Sequence, residues 1–202
     1  MRERPILFRG DMVRAILSGQ KTQTRRVAKG VMAVHTRTGE ALADIDSAGP
    51  RVPCPFGQPG DRLWVRETWT NAWDEGKNQW SAPERYHYRA DGIEVAHLDG
   101  MERSPWIPSI HMPRQACRLV LEITAVRVER LHEISESDAI AEGADENVLA
   151  DIRLPRTHAR AGLPMVYADC REVFADLWDT TGGDWGSNPW VWVIEFKPVE
   201  AP

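Results

Sequence analysis

The sequence predicts an α+β fold, a small β-rich barrel flanked by about three helices and carrying long loop insertions. Three observations predict it. Leu63–Thr68 alternates Leu63, Val65 and Glu67 against Trp64, Arg66 and Thr68, the period-2 pattern of a strand with two distinct faces. Cys117–Arg130 is the longest strand candidate. Its apolar face switches from Leu119, Leu121 and Ile123 to Val126 and Val128, which places a bulge or bend near Thr124-Ala125, as a small barrel needs in order to close. Trp190–Phe196 reads as an aromatic last strand, and three other segments show helical spacing.

In chain order, Ile6–Phe8 is a short first strand. The first helix spans Asp11–Ser18, with Asp11 as its expected N-cap and Met12, Val13, Ile16 and Leu17 on one face. Gly19 supplies the left-handed residue that ends it. Lys29–Pro59 is rich in Gly, Pro, Ala and charge, without a sustained period. Thr70–Gln115 is a second long stretch, punctuated by Trp, Gly and Pro, with a short hairpin near Arg85–Ala90. Loops of this length in a compact domain carry function or decoration. Helix two starts at Ser135, with Asp138 as a variant capping-box partner, turns Ala139 and Ile140 inward and ends at Gly143. Helix three runs from about Tyr167 to Trp178, and Tyr167, Cys170, Phe174, Leu177 and Trp178 form an apolar stripe read as core.

Composition narrows the classes. A chain of 202 residues that is 42% apolar can bury a sizeable single core. No apolar run approaches the roughly 20 residues of a membrane span, and the N-terminus leads into a strand rather than a signal segment. Cys54, Cys117 and Cys170 are odd in number and far apart, the pattern of reduced structural thiols in a cytoplasmic protein. The six histidines show no metal-ligand spacing, and no cofactor is called for. The net charge of −5 argues against a generic nucleic-acid coat. Residues 1–30 nevertheless hold eight Lys/Arg against Glu3 and Asp11, whereas the chain from Leu131 holds five against fourteen Asp/Glu. That basic face is either a localised phosphate-contact patch or ordinary solvated surface.

The most informative stretch is Ser18-Gly19-Gln20-Lys21-Thr22-Gln23-Thr24-Arg25-Arg26, held directly after a packed helix. A lysine beside hydroxyls is the minimal nucleophile-plus-base arrangement, and flanking arginines suit an anionic or carbonyl-rich ligand. Glu142 falls in the last turn of helix two, where the helix dipole favours cations. A carboxylate there is either held by a cationic partner, for which Lys21 is the candidate, or faces solvent.

Gly19-x-Lys21-Thr22-x-Thr24-x-Arg26, then Gly60-Asp61-Arg62-Leu63-Trp64-Val65 and the terminal Trp190-Val191-Trp192-Val193-Ile194-Glu195-Phe196, resembles the ASCH domain, a family sharing the barrel core of PUA domains. Pro5-Ile6-Leu7-Phe8, the Pro59–Trp69 stretch, Ile110-His111-Met112-Pro113 and Asn188-Pro189-Trp190-Val191-Trp192 are similar to its phage and prophage branch, often labelled morphogenetic. The resemblance runs nearly end to end and implies one ASCH domain over residues 1–202, with insertions at about 29–59 and 70–115. It also implies the lysine, threonine and glutamate of the small bacterial ASCH proteins that hydrolyse N4-acetylcytidine, which match Lys21, Thr24 and Glu142 here. The chain is larger than those amidohydrolases by its two insertions, which leaves the substrate open.

In that chemistry Thr24 attacks the acyl carbonyl. Lys21 acts either as base, if burial lowers its pKa, or as a charged oxyanion stabiliser, and Glu142 orients Lys21 or protonates the leaving amine. Thr22, Arg25, Arg26, Glu67 and Trp69 are the expected substrate-binding residues. Glu67 would accept a hydrogen bond from a cytosine amino group, or else pair with Arg25 or Arg26. Of nine tryptophans, Trp64, Trp178, Trp190 and Trp192 fit structural faces. Trp69, with Trp73 or Trp106, is the candidate for stacking on a base. The expected partner is a modified nucleoside or RNA, with no membrane. A non-catalytic RNA-binding or ribonuclease module and a phage accessory factor are the alternatives.

Overall fold

A mixed five-stranded sheet organises the chain. The computed structural model describes residues 1–34, 37–42, 52–71, 73–74, 79–80, 86–92, 106–144 and 169–200. The sheet strands are β1 (Glu3–Leu7), β2 (Gln23–Val27), β5 (Arg62–Arg66), β10 (Val120–Arg130) and β11 (Trp190–Val199), in the spatial order β1-β5-β10-β11-β2. β1 runs parallel to β5, and the other neighbours are antiparallel. Among the described residues three short antiparallel pairs lie outside it: β3 (Ala33–Val34) with β4 (Ala41–Leu42), β6 (Trp69–Asn71) with β9 (Tyr86–Tyr88), and β7 (Trp73–Asp74) with β8 (Gln79–Trp80). The α-helices among the described residues are α1 (Gly10–Leu17), α2 (Glu136–Ala141) and α3 (Cys170–Thr180).

The α+β class holds, but the sheet is open. Among the described residues β1 and β2 are its two edges, and no ladder joins them, so these strands do not close the expected barrel. A side chain crosses the gap instead: Arg26 Nη2 of β2 donates to the Leu7 carbonyl of β1 at 2.7 Å. The expected bulge is present, since the β10–β11 register shifts between Ile123 and Ala125. It re-aims the second half of β10, which then pairs only with β11.

Both faces of the sheet are covered. Leu121 and Ile123 join Met12, Val13 and Ile16 of α1 and Val173, Phe174 and Leu177 of α3 in the main core. Val120, one residue away and so on the opposite face, joins Trp69, Met112, Ala116 and Cys117 in a second core. Asp61, from the Gly60-Asp61-Arg62 signature, is a structural clasp. Its carboxylate accepts from the backbone N–H of Arg2 at 2.7 Å and of Gln58 at 3.3 Å, fixing the start of β1 against β5.

The helices refine the expectations. The N-cap of α1 is Arg9, without a side-chain cap bond, and Asp11 lies in the first turn, because the helix begins at Gly10, two residues before its apolar face starts at Met12. Gly19 is left-handed at φ 79°. Ser135 caps α2 as expected, its hydroxyl accepting from Asp138 N–H at 3.1 Å. Ala139 is buried but Ile140 is 53% exposed, since a helix of six residues presents only one narrow face to the core. α3 starts at Cys170 behind an Asp169 cap; Tyr167 and Arg85 lie outside the described residues.

Leu121 is fully buried in the central strand, so Leu121→Ala is expected to cost about 2–5 kcal/mol, read as a lower urea midpoint at unchanged slope.

Candidate active site

Between the β1 and β2 edges lies a cavity of about 500 Å³. Lys21 and Thr24 line it together with Glu142, more than a hundred residues further along the chain, and with Arg25 and Arg26. The opposite wall is apolar, formed by Leu7 and Phe8 at the end of β1 and by Phe174, Leu177 and Trp178 of α3. The stripe on α3 is therefore both core and cavity wall, two roles that share one sequence pattern.

Local structure brings Lys21 and Glu142 together. The turn after α1 is stitched to the end of α2: Lys21 N–H donates to Ala15 O and Thr22 N–H to Ala141 O, each at 2.9 Å. Gly143 is left-handed at φ 81°, and a β-carbon on it would sit 3.3 Å from Ala15 Cβ and 3.4 Å from Lys21 Cβ. Glycine thus permits both the helix stop and the close approach. Lys21 Nζ donates to Glu142 Oε2 at 2.7 Å and to the Glu142 carbonyl at 2.8 Å, satisfying one of the orphan carbonyls at the α2 C-terminus. Both side chains are 3% exposed.

Arg25 extends this pair into a network. It gives Nη1 to Glu142 Oε1 at 3.1 Å, and Nη2 to Asp138 at 3.1 Å and to Glu129. Arg127 bonds Asp138 and Glu129 from the other side, at 2.9 and 3.0 Å, and pairs with Glu195. Burial pushes the Lys21 ammonium below its ordinary pKa and the neighbouring Arg26 and Arg25 act with it, against the attraction of Glu142. Burial would raise the Asp138 carboxyl, but Arg25 and Arg127 outweigh it and hold that group below the usual aspartate value.

The Nζ geometry has chemical consequences. A charged Lys21 has spent two of three N–H donors on Glu142 and keeps one; a neutral Lys21 keeps a lone pair. Glu142 has both carboxylate oxygens engaged by cations, which suits orienting Lys21 rather than donating a proton. Arg25 Nε, Arg26 Nε and Trp178 Nε1, on three cavity residues, have no hydrogen-bond acceptor among the described residues. Three donors are thereby left over on residues of the cavity lining.

The other expected substrate-binding residues separate. Arg25 and Arg26 line the cavity. Thr22 is exposed and does not line it; its backbone serves the sheet by accepting from Phe196 N–H at 2.9 Å. Glu67 is 1% exposed and pairs with neither Arg25 nor Arg26; Arg118 grips it through Nε and Nη2 at 2.9 and 3.0 Å. Burial raises its pKa, opposed by Arg118. Trp69 is buried against Tyr86, edge to face at 5.4 Å, where no base can stack on it. Trp106 is half-buried, and the side chain of Trp73 lies outside the described residues. Sequence reasoning missed Glu129, Asp138 and Arg127. They sit in a strand and a helix whose pairing of charges is visible only across the sheet.

The basic N-terminal patch is thinner than its composition: Lys21 and Arg25 are consumed in buried pairs with acids from later in the chain. None of the described helices is long and apolar enough to cross a membrane.

No family model and no curated protein matches the chain. Solved structures similar to it include an ASCH domain from Lactobacillus crispatus JV V101, at 14% identity and a TM-score of 0.38, covering 99% of this chain and 81% of that one. A DUF984 protein from Enterococcus faecalis V583 aligns at 12% identity and a TM-score of 0.37, covering 99% and 82%.

Two outcomes follow from the network. Glu142→Gln leaves Lys21 and Arg25 short of a buried carboxylate and is expected to destabilise the fold by about 3–5 kcal/mol in chemical denaturation. Asp138, with its folded pKa below the ordinary 3.8, leaves the unfolded chain holding more protons in acid. Its contribution is present above that value and lost as pH falls through the folded pKa, so the stability gap between wild type and Asp138→Asn should narrow from about pH 5 to pH 2. A gap that stays constant over that range rules this linkage out.

Proposed function

We propose that the chain is an ASCH-like amidohydrolase acting on N4-acylated cytidine or a closely related modified nucleoside, with Lys21, Thr24 and Glu142 as its catalytic set. One observation carries the reading: the buried Lys21–Glu142 ion pair shares a cavity with Thr24. A buried, oriented amine beside a hydroxyl is what acyl transfer requires. The cavity also matches the ligand in kind, with apolar and aromatic walls for a flat base and arginines in its lining for an acyl oxygen and the ring acceptors.

Thr24 Oγ attacks the acyl carbon while its proton passes to neutral Lys21 Nζ. The carbonyl π electrons move to oxygen, and Arg25 or Arg26 supplies donors to that oxyanion. Collapse breaks the C–N bond, and Lys21 returns the proton to the departing exocyclic amine. Water, deprotonated by the same nitrogen, then releases the carboxylic acid and restores the Thr24 hydroxyl. Glu142 keeps Nζ in place throughout, and burial of Lys21 favours the neutral form that the first step uses.

Incubation with N4-acetylcytidine, followed by mass spectrometry, tests this. Wild type should release cytidine and acetate. Thr24→Val, nearly isosteric, and Lys21→Met should each lose about 10²-fold or more in kcat/KM, and Lys29→Met, an exposed charge outside the cavity, should lose nothing. A wild type inert on acylated nucleosides that binds RNA as well as both variants do would make the chain a non-catalytic RNA-binding module instead.

A further inference from the structure

A second cavity of about 480 Å³ adjoins the first, and Arg9 lines both. Arg9, Arg14 and Arg89 line it with the single carboxylate of Asp11, so cations outnumber the acid three to one. Thr68 adds a hydroxyl, and α1 begins at its wall with no side chain capping the first turn, leaving N–H groups and the positive helix end on that side. An independent observation is Asp11 itself. Its side chain is 9% exposed, Arg9 Nε reaches Oδ1 only at 3.5 Å, and Oδ2 has no hydrogen-bond donor among the described residues. A buried carboxylate oxygen left without a donor calls for one from outside, and the half-exposed Arg9 side chain can swing aside to admit it.

Three guanidinium groups ask for an anion with several acceptor oxygens, and Asp11 asks for a hydroxyl donor on the same ligand. A phosphorylated sugar satisfies both. We propose that this second cavity seats the ribose phosphate of a nucleotide, with phosphoryl oxygens on Arg9, Arg14 and Arg89 and a ribose hydroxyl on Asp11. Combined with the reading of the first cavity, on which this step rests, the preferred substrate is a nucleotide, free or within an RNA strand, rather than a bare nucleoside. Its base lies in the first cavity and its phosphate beyond Arg9.

Calorimetric titration with ribose 5-phosphate tests the second cavity without any base, and so independently of the first. Wild type should bind ribose 5-phosphate, bind ribose far more weakly, and lose affinity as salt rises. Arg89→Gln, and Arg14→Gln with Arg89→Gln, lie at exposed positions and should keep the wild-type Tm while weakening ribose 5-phosphate by at least about tenfold in the double variant. Lys29→Gln should leave binding unchanged. Absence of ribose 5-phosphate binding, or equal weakening by Lys29→Gln, overturns the proposal, the latter because net charge would then suffice. A second arm compares cytidine, cytidine 5′-monophosphate and a short single-stranded RNA. The monophosphate should exceed cytidine in wild type and equal it in the double variant. RNA binding beyond the monophosphate would identify a strand as the source, and equal binding a free nucleotide. Sugar-phosphate binding without N4-acetylcytidine hydrolysis would reject the amidohydrolase reading and leave this site standing.

Discussion

Placing Lys21 and Glu142 together out of water is the constraint around which the site is built. Each ion loses a hydration free energy worth several kcal/mol, and their mutual attraction recovers it only with short contacts and further hydrogen bonds. The structure meets both conditions. Nζ spends a second donor on the Glu142 carbonyl, and Arg25 takes the other carboxylate oxygen. That solution demands a glycine at 143, an early end to α2 and a turn after α1 that docks backbone to backbone. Local elements of modest intrinsic stability are thereby held by the charges they carry.

Lys21 and Arg25 share the one Glu142 carboxylate, so a positive charge is left over and the imbalance is passed outward. Arg25 turns its remaining nitrogen to Glu129 and Asp138, and Arg127 closes the circuit to Glu195 near the rim. The opposite charge biases of the two ends of the chain meet here, where Lys21 and Arg25 pair with Glu142 and Asp138 at α2. Polar networks in a low-dielectric setting favour one arrangement strongly when every member is paired. The donors left over, on Arg25, Arg26 and Trp178, belong to residues that line the cavity.

The open sheet follows from the same geometry. Closing β1 onto β2 by backbone pairing would fill the space that Lys21, Thr24 and the arginines border, whereas the Arg26–Leu7 bridge links the edges and keeps the cavity. On the far face a different pair does the fastening. Arg118 grips buried Glu67 and lies 4.0 Å above the Tyr88 ring, tying the β6–β9 hairpin to the sheet. Burial, chiefly, pushes the Tyr88 phenol up to about 12, and its hydroxyl donates to Ala116 O. Glu67 and Trp69, which pattern alone nominates for binding, are spent on this second core.

What the sequence by itself determined is local and periodic. The two-faced strand at Leu63, the bulge between Ile123 and Ala125, the Ser135 cap and the glycine stops at 19 and 143 follow from alternation, side-chain hydrogen bonding and positive φ, each set within a few residues. The suspicion that an acid at the end of α2 needs a cation was legible as well, because the helix dipole is a local field. The tertiary structure alone decided which cation answers, that Glu67 faces Arg118 instead of Arg25, and that Trp69 is covered. It alone decided that the apolar stripe of α3 borders a cavity and that the sheet stays open. Those outcomes depend on distances between residues far apart in sequence. Burial, pairing and cavity shape are properties of packed surfaces, and no period of two or of 3.6 encodes them.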